Sequence, residues 1–277
     1  CGDAKMVASH LLDQLSNTAG DAGREERKAL IHQTKSAWLQ TLASMDHEDD
    51  DPGTTWNKDS RERDADRLSP RQAWRAIQDG LPKDAIISSD IGNNCAIGNA
   101  YPTFEEGRKY LAPGLFGPCG YGFPSIIGAK IGNPDTPVVG FAGDGAFGIS
   151  MNEMTSIGRE EWPDVTMVIF RNYQWGAEKR NSILWYSDNF IGTELDPNLS
   201  YARVAEGCGL KGVAVRTQEE LTAALKLSCE EQQKGITTFI EVILNQELGE
   251  PFRRDAMKAP VAVAGIDAND MRPQKGA

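Results

Sequence analysis

Between Gly80 and Leu248 short β-type runs alternate with helical stretches, and this alternation limits the possible folds more than any other feature of the chain. The runs are Ala85-Ile86-Ile87-Ser88, Pro137-Val138-Val139-Gly140-Phe141, Val165-Thr166-Met167-Val168-Ile169-Phe170, Gly212-Val213-Ala214-Val215 and Thr238-Phe239-Ile240-Glu241-Val242-Ile243-Leu244. They are short and mostly apolar, the texture of strands covered on both faces. Helical stretches fall at about 94–100, 122–131, 147–159, 201–208 and 218–234. A strand, a helix and another strand in succession make a parallel crossover, so the expected fold is α/β: a doubly wound parallel sheet with helices on both faces. In such sheets ligands bind beyond the carboxyl ends of the strands, and the loops that follow the strands are the place to look for chemistry.

The flanks differ. In residues 1–46, Leu11, Leu12 and Leu15, then Leu30, Ile31, Trp38, Leu39 and Leu42, recur at helical spacings, which predicts two amphipathic helices. Such a pair cannot enclose a core alone, and it reads as a helical remnant of a preceding domain. Residues 47–68 begin with Glu48-Asp49-Asp50-Asp51-Pro52-Gly53 and continue with mixed charge, the composition of a solvated linker. At Ser69-Pro70-Arg71-Gln72 a Ser N-cap and a Pro at the first helical position predict a helix to about Asp79. The main domain is therefore placed at 69–248, and 249–277, with Arg253-Arg254 and Ala, Pro and Gly, reads as an extended tail. The chain starts with Cys1 instead of Met, and it is expected to be part of a longer polypeptide.

Composition removes several function classes. Lys and Arg total 29 against 40 Asp and Glu in 277 residues, a net charge of −11, which argues against nucleic acid as a partner because phosphate neutralisation needs the opposite sign. No apolar run approaches the ~20 residues of a membrane span, and Cys1-Gly2-Asp3-Ala4-Lys5 is no signal-peptide start; a cytoplasmic protein without membrane contact is expected. The cysteines (Cys1, Cys95, Cys119, Cys208, Cys229) are odd in number and lack C-x-x-C spacing, so neither a disulfide framework nor a zinc site is indicated. The histidines, His10, His32 and His47, all lie near the N-terminus, which leaves Cys119 without a histidine base downstream for nucleophilic catalysis. Neither G-x-x-x-x-G-K-S/T nor a G-x-G-x-x-G after the first strand occurs.

The strongest chemical signal is Val138-Val139-Gly140-Phe141-Ala142-Gly143-Asp144-Gly145-Ala146-Phe147, a buried run that ends in Gly-Asp-Gly and opens at once into a helix. Glycines permit close backbone approach, a helix start presents N–H groups to an anion, and Asp144 offers a hard carboxylate. Twenty-eight residues later the next run ends in Phe170-Arg171-Asn172-Tyr173-Gln174-Trp175-Gly176, which puts Asn172 at the carboxyl end of a neighbouring strand. Asp144 and Asn172 then share one ion, and a metal diphosphate is the ligand class that this pattern predicts. Gly-Asp-Gly alone is a common turn; the two strand ends together make the signal. Trp175, Trp185 and Tyr186 serve either as a pocket wall or as core.

These segments resemble the thiamine diphosphate-dependent enzymes related to acetolactate synthase and pyruvate oxidase, over most of residues 69–248. The resemblance rests on Gly143-Asp144-Gly145 with Arg171-Asn172, on Gly117-Pro118-Cys119-Gly120-Tyr121-Gly122-Phe123-Pro124, and on Asp90-Ile91-Gly92-Asn93-Asn94, in that family's order along the chain. It implies a thiamine diphosphate-binding fold, with Asp144, the Asn172 side chain and the Gln174 carbonyl as ligands of Mg2+. It further implies cofactor contacts from Asn93, Asn94, Gly117, Cys119, Gly143, Gly145, Ala146, Trp175 and Gly176: the Gly117 carbonyl accepts from the aminopyrimidine, and Cys119 takes the place of a larger apolar wedge. Arg171 departs from the family's usual Asn or Cys at its position. The family's activating glutamate lies in another domain, N-terminal to everything here and normally on a partner subunit, so no catalytic residue is assigned within this chain and the chain alone is expected not to turn over.

Within the family the strings around Asp90, Cys119 and Arg171 to Arg180 are similar to the sulfoacetaldehyde acetyltransferase branch. That implies small anionic substrates, sulfoacetaldehyde and phosphate, converted to sulfite and acetyl phosphate in a homodimer or homotetramer. Both substrates carry tetrahedral anions, so a locally basic pocket is expected, with Lys179 and Arg180 as candidates and Arg108-Lys109 as others. The alternatives are an acetolactate synthase-like or other 2-oxo acid enzyme, or a non-catalytic cofactor-binding subunit.

Overall fold

The computed structural model describes residues 3–15, 23–44, 55–104, 109–186 and 190–247. The chain divides into two units, residues 1–48 and 49–277. The first holds α1 (Ala4–Leu15) and α2 (Arg24–Ser44). Their apolar positions Leu11, Leu12, Leu15, Leu30, Ile31, Trp38 and Leu39 are exposed, so these side chains build no core.

The second unit runs α3 (Thr55–Arg63), α4 (Pro70–Gly80), β1 (Ile86–Ser89), α5 (Asn93–Gly98), β2 (Tyr110–Leu111), α6 (Gly122–Gly132), β3 (Val138–Gly143), α7 (Asp144–Ser150), α8 (Met154–Ile157), β4 (Thr166–Arg171), α9 (Gly176–Tyr186), α10 (Tyr201–Gly207), β5 (Lys211–Val215), α11 (Gln218–Glu231) and β6 (Thr238–Ile243). The strands form one sheet in the order β2-β1-β3-β4-β6-β5, with every pair parallel. The chain steps from β1 outward to β2, then returns past β1 to lay down β3, so its winding reverses between β1 and β3. That reversal opens a crevice at the carboxyl ends of these two strands.

Burial on both faces explains the apolar runs. On one face Val138 and Ala142 of β3 and Met167 and Ile169 of β4 pack with Phe123, Ile126, Phe147 and Phe239. On the other, Phe141 and Phe170 meet Trp74 of α4, with ring centroids 4.9 and 5.3 Å away. Helix α4 begins as its sequence predicts: the Ser69 hydroxyl accepts from the Gln72 N–H, and the Gln72 side chain returns a bond to the Ser69 N–H, a reciprocal cap of the helix start.

Four elements differ from the sequence expectations, one of them the short strand β2, which no β-type run announced. Within the stretch read as a solvated linker, residues 55–63 are helical, and Ser60 and Asp64 are buried; Ser60 accepts from the Gln246 N–H at 2.7 Å and Asp64 pairs with Arg63. Residues 47–54 of that stretch and the whole 249–277 tail lie outside the described residues. Helix α9 rises directly after the Asn172 loop, where the residues carry no continuous apolar stripe to announce it. The helix expected at 147–159 starts earlier, at Asp144, and breaks at a tight turn over Met151–Glu153. Among the described residues no helix is long and apolar enough to cross a membrane.

Candidate functional site

The loops after β1, β3 and β4 meet at the crevice. The first starts at Asp90, fully buried, whose carboxylate accepts the N–H groups of Ile91 (2.8 Å), Gly120 (3.1 Å) and Gly122 (2.7 Å). Asp90 thereby ties the first loop to the segment carrying Gly117 and Cys119, and puts a negative charge at the start of α6. Burial pushes its carboxyl above the ordinary range, against the pull of those N–H groups. Asn94 turns inward, its amide nitrogen donating to Ser89 Oγ and the Asp90 carbonyl, each at 3.2 Å, so both of its N–H groups hold the loop in shape. Asn93 beside it is different: its Nδ2 is buried with no hydrogen-bond partner.

Asp144 stands at the junction of β3 and α7. Its Oδ2 accepts from Arg171 Nη1 at 2.8 Å and the Tyr173 N–H at 2.7 Å, and its Oδ1 from the Gly145 N–H at 3.0 Å. Burial raises its carboxyl to about 6, although the Arg171 guanidinium pulls the other way. After β4 the chain reverses sharply at Tyr173, a non-glycine residue at φ 62°; side chains seldom adopt this region without surrounding structure to hold them there. The turn brings the tip of the Asn172 amide to 3.2 Å from Asp144 Oδ1 and 3.1 Å from the Gln174 carbonyl oxygen. With nitrogen toward them the amide donates to both; with oxygen toward them, three oxygens converge. Adjacent ligands of an octahedral Mg2+ stand about 3 Å apart when the metal–oxygen bonds are 2.0–2.1 Å, so the donor set fits a small hard cation. Among the described residues no group of three His, Cys, Asp or Glu side chains competes for such an ion.

These loops line one cavity of about 390 Å³. Asn93, Asn94, Gly117, Cys119, Gly143, Asp144, Gly145, Ala146, Asn172, Gln174, Trp175 and Gly176 all border it. Close approach explains two of the glycines: a Cβ on Gly145 would stand 2.8 Å from the Trp175 ring, and one on Gly176 would stand 2.9 Å from Asn93 Nδ2. The orphaned Asn93 donor at the cavity wall suits a phosphate oxygen. Burial, then Asp90 and Glu178, push the Cys119 thiol up, which keeps it from acting as a ready thiolate.

The basic pocket expected from Lys179 and Arg180 is not found at this cavity. Neither residue borders it. Lys179 is buried, ion-paired with Glu194, its Nζ 4.8 Å from the centroid of the Phe190 ring. Lys109 points its Nζ at the Asp84 carbonyl, and Arg108 lies outside the described residues, as do the side chains of Trp185 and Tyr186. Among the described residues, the charged ones at the cavity are Asp144, Glu178 and Glu247, and Glu247 is paired with the buried Arg71 at 2.5 Å. Sequence reasoning also missed Trp74, Leu244 and Glu247 as cavity residues, and Asp90 as the fastener of its rim. For Glu241, a charge inside the apolar run of β6 was the available signal: it is buried, 3.6 Å from Arg171 Nε, and accepts from the Ser200 hydroxyl at 2.6 Å.

The comparisons with known proteins meet this geometry. Residues 90–242, more than half of the chain, match the family model described as thiamine pyrophosphate enzyme, C-terminal TPP binding domain. The chain belongs to the thiamine pyrophosphate enzymes. The matched stretch takes in the loops after β1, β3 and β4 that border the cavity. Among curated relatives, a probable sulfoacetaldehyde acetyltransferase of Rhizobium meliloti (strain 1021) is 78% identical over 99% of this chain and 46% of its own length. A sulfoacetaldehyde acetyltransferase of Roseovarius nubinhibens is 72% identical over 99% of this chain and 45% of its own length. The chain thus spans about half the length of the curated relatives it matches. A solved thiamine diphosphate-dependent 4-hydroxybenzoylformate decarboxylase of Rhodococcus jostii RHA1 superposes with a TM-score of 0.59 at 27% identity, over 66% of this chain and 34% of that one. The parallel α/β fold expected from the alternating runs is the one this thiamine pyrophosphate enzyme shares.

Proposed function

We propose that the complete protein carrying this chain converts sulfoacetaldehyde and phosphate to acetyl phosphate and sulfite, with thiamine diphosphate and Mg2+, and that this chain supplies the diphosphate and metal half of the site. The observation that carries the reading is the convergence of Asp144 Oδ1, the Asn172 amide and the Gln174 carbonyl at a cavity whose wall also holds the orphaned Asn93 donor. The names of the relatives at 78% and 72% identity support the choice of substrate.

Bound thiamine diphosphate supplies a nucleophilic carbon and an electron sink for a carbonyl substrate. The residues of this chain hold it. Asp144, Asn172 and Gln174 take the metal; Asn93, with Gly145 and Ala146 in the first turn of α7, takes the diphosphate. The Gly117 carbonyl accepts from the aminopyrimidine, Cys119 flanks the ring, and Asp90 fixes the segment that carries both. Asn94 supports the loop without donating to the ligand, because its N–H groups are engaged. The cations that meet sulfonate and phosphate come from outside the described residues, and so does the activating glutamate, in a homodimer or homotetramer of the complete protein.

The test is product analysis. Full-length protein incubated with sulfoacetaldehyde, phosphate, Mg2+ and thiamine diphosphate should release sulfite and acetyl phosphate. Acetolactate from pyruvate in place of these products would overturn the substrate assignment, and the absence of saturable thiamine diphosphate binding would overturn the reading as a whole.

A further inference from the structure

Arg171 closes β4 with a fully buried guanidinium at the carboxyl edge of the sheet. We infer that Arg171 is a positioning residue that makes Asp144 a one-oxygen ligand, and that it thereby sets the site's preference for Mg2+ over Ca2+. The inference rests on the metal reading above and adds a determinant that the reading does not contain.

Lone pairs decide which oxygen of Asp144 can reach a cation. A carboxylate oxygen accepts about two hydrogen bonds. Asp144 Oδ2 already accepts two, from Arg171 Nη1 at 2.8 Å and the Tyr173 N–H at 2.7 Å, and is filled. Oδ1 accepts one backbone bond, from the Gly145 N–H at 3.0 Å, and its second lone pair faces the Asn172 amide at 3.2 Å, which frees it for a cation by turning its oxygen instead of its nitrogen toward the site. Only Oδ1 is left for a cation.

The guanidinium holds its place from several directions. Nη2 donates to the Leu199 carbonyl at 3.1 Å and to the Asp196 carbonyl. Its Cζ lies over the Tyr173 ring, 4.2 Å from the centroid, a cation–π contact. Glu241 Oε1 is 3.6 Å from Nε, and Glu241 is itself held by the Ser200 hydroxyl and the Ala202 N–H. Mg2+ takes six ligands in a near-octahedral shell, whereas Ca2+ takes six to eight in a more flexible shell, with carboxylates that bind through one oxygen or both. A carboxylate restricted to one oxygen fits the first ion and denies the second the two-oxygen mode that fills its larger shell.

The experiment measures thiamine diphosphate binding to the full-length protein by calorimetry, once with Mg2+ and once with Ca2+, for the wild type, Arg171→Gln and Arg171→Lys. The Gln variant removes the guanidinium from Oδ2, which keeps only the Tyr173 N–H, and the ratio of Mg2+-supported to Ca2+-supported affinity should fall about tenfold, of the order of the affinity changes seen when hydrogen-bond partners of metal ligands are removed. Arg171→Lys keeps the buried charge, and with it the fold, but loses the planar fork, so it should shift the ratio in the same direction by less; it carries the test if the Gln variant does not fold. A purely structural role would weaken binding with both ions alike. A ratio equal to that of the wild type in the folded variants overturns the inference and leaves the proposed function standing; no metal-supported binding in the wild type overturns both.

Discussion

Asp144 combines two opposing influences. Burial favours its protonated form and raises the carboxyl to about 6, while the Arg171 guanidinium and the N–H groups of Tyr173 and Gly145 favour the carboxylate. In the folded chain the group therefore holds a proton between about pH 4 and 6 that the unfolded chain releases, so the stability it contributes falls as pH rises through that window. A bound cation reverses the balance, because it needs the carboxylate. Metal affinity should be flat above pH 6 and fall about tenfold for each pH unit below it, as calorimetric titration with Mg2+ in the presence of thiamine diphosphate would show; affinity unchanged down to pH 5 would count against Asp144 as a ligand. Asp144 and Asn172 were legible in the sequence because they directly follow apolar runs. The roles of Arg171 and Glu241 were not: Arg171 stands between Asp144, 27 positions earlier, and Glu241, 70 positions later, and no local pattern records those contacts.

At the scale of elements, α4 links local sequence to the site. Its N-cap is readable in Ser69-Pro70-Arg71-Gln72, and the structure bears it out. Its inner face carries Trp74 onto Phe141 and Phe170, and Pro70 and Trp74 border the cavity. Ser69→Ala removes the hydroxyl that accepts from Gln72 and should destabilise the protein by about 1 kcal/mol. Denaturant unfolding would show the loss as a lower midpoint at unchanged slope; an unchanged midpoint would mean that the reciprocal cap adds nothing. Helix α9 and strand β2 escaped the sequence reading for physical reasons. The residues of α9 carry no continuous apolar stripe, and β2 pairs with β1 over Tyr110 and Leu111 alone, too few residues for alternation to register.

For the molecule as a whole, the order of the sheet decides where a ligand can sit. The site draws on loops after three strands, so a ligand that bridges them stabilises the native state and not the unfolded one. Thiamine diphosphate with Mg2+ at about 100 times its Kd should add about 2.7 kcal/mol to the stability of the full-length protein, a rise in Tm. Thermal unfolding with and without EDTA measures this; an identical shift in EDTA would show that the metal contributes nothing to the bound state. The net charge of −11 belongs to this scale too. It disfavours anions around the molecule generally, and the carboxylates at the cavity do so locally, so the proposed anionic substrates would need cations from outside the described residues.

What the residues determine by themselves is the class of fold and the identity of the loop residues at the strand ends. Both are local properties: apolar runs of strand length, helix caps, and glycines beside a carboxylate leave their mark within a few positions. The tertiary structure decided which of these loops meet, that Asn93 and not Asn94 keeps a free donor, that Lys179 is turned to Glu194 and away from the cavity, and that Asp144 is buried against Arg171. Each depends on contacts between segments far apart in the chain, and the sheet order that brings them together follows from how the whole set of apolar faces is buried at once.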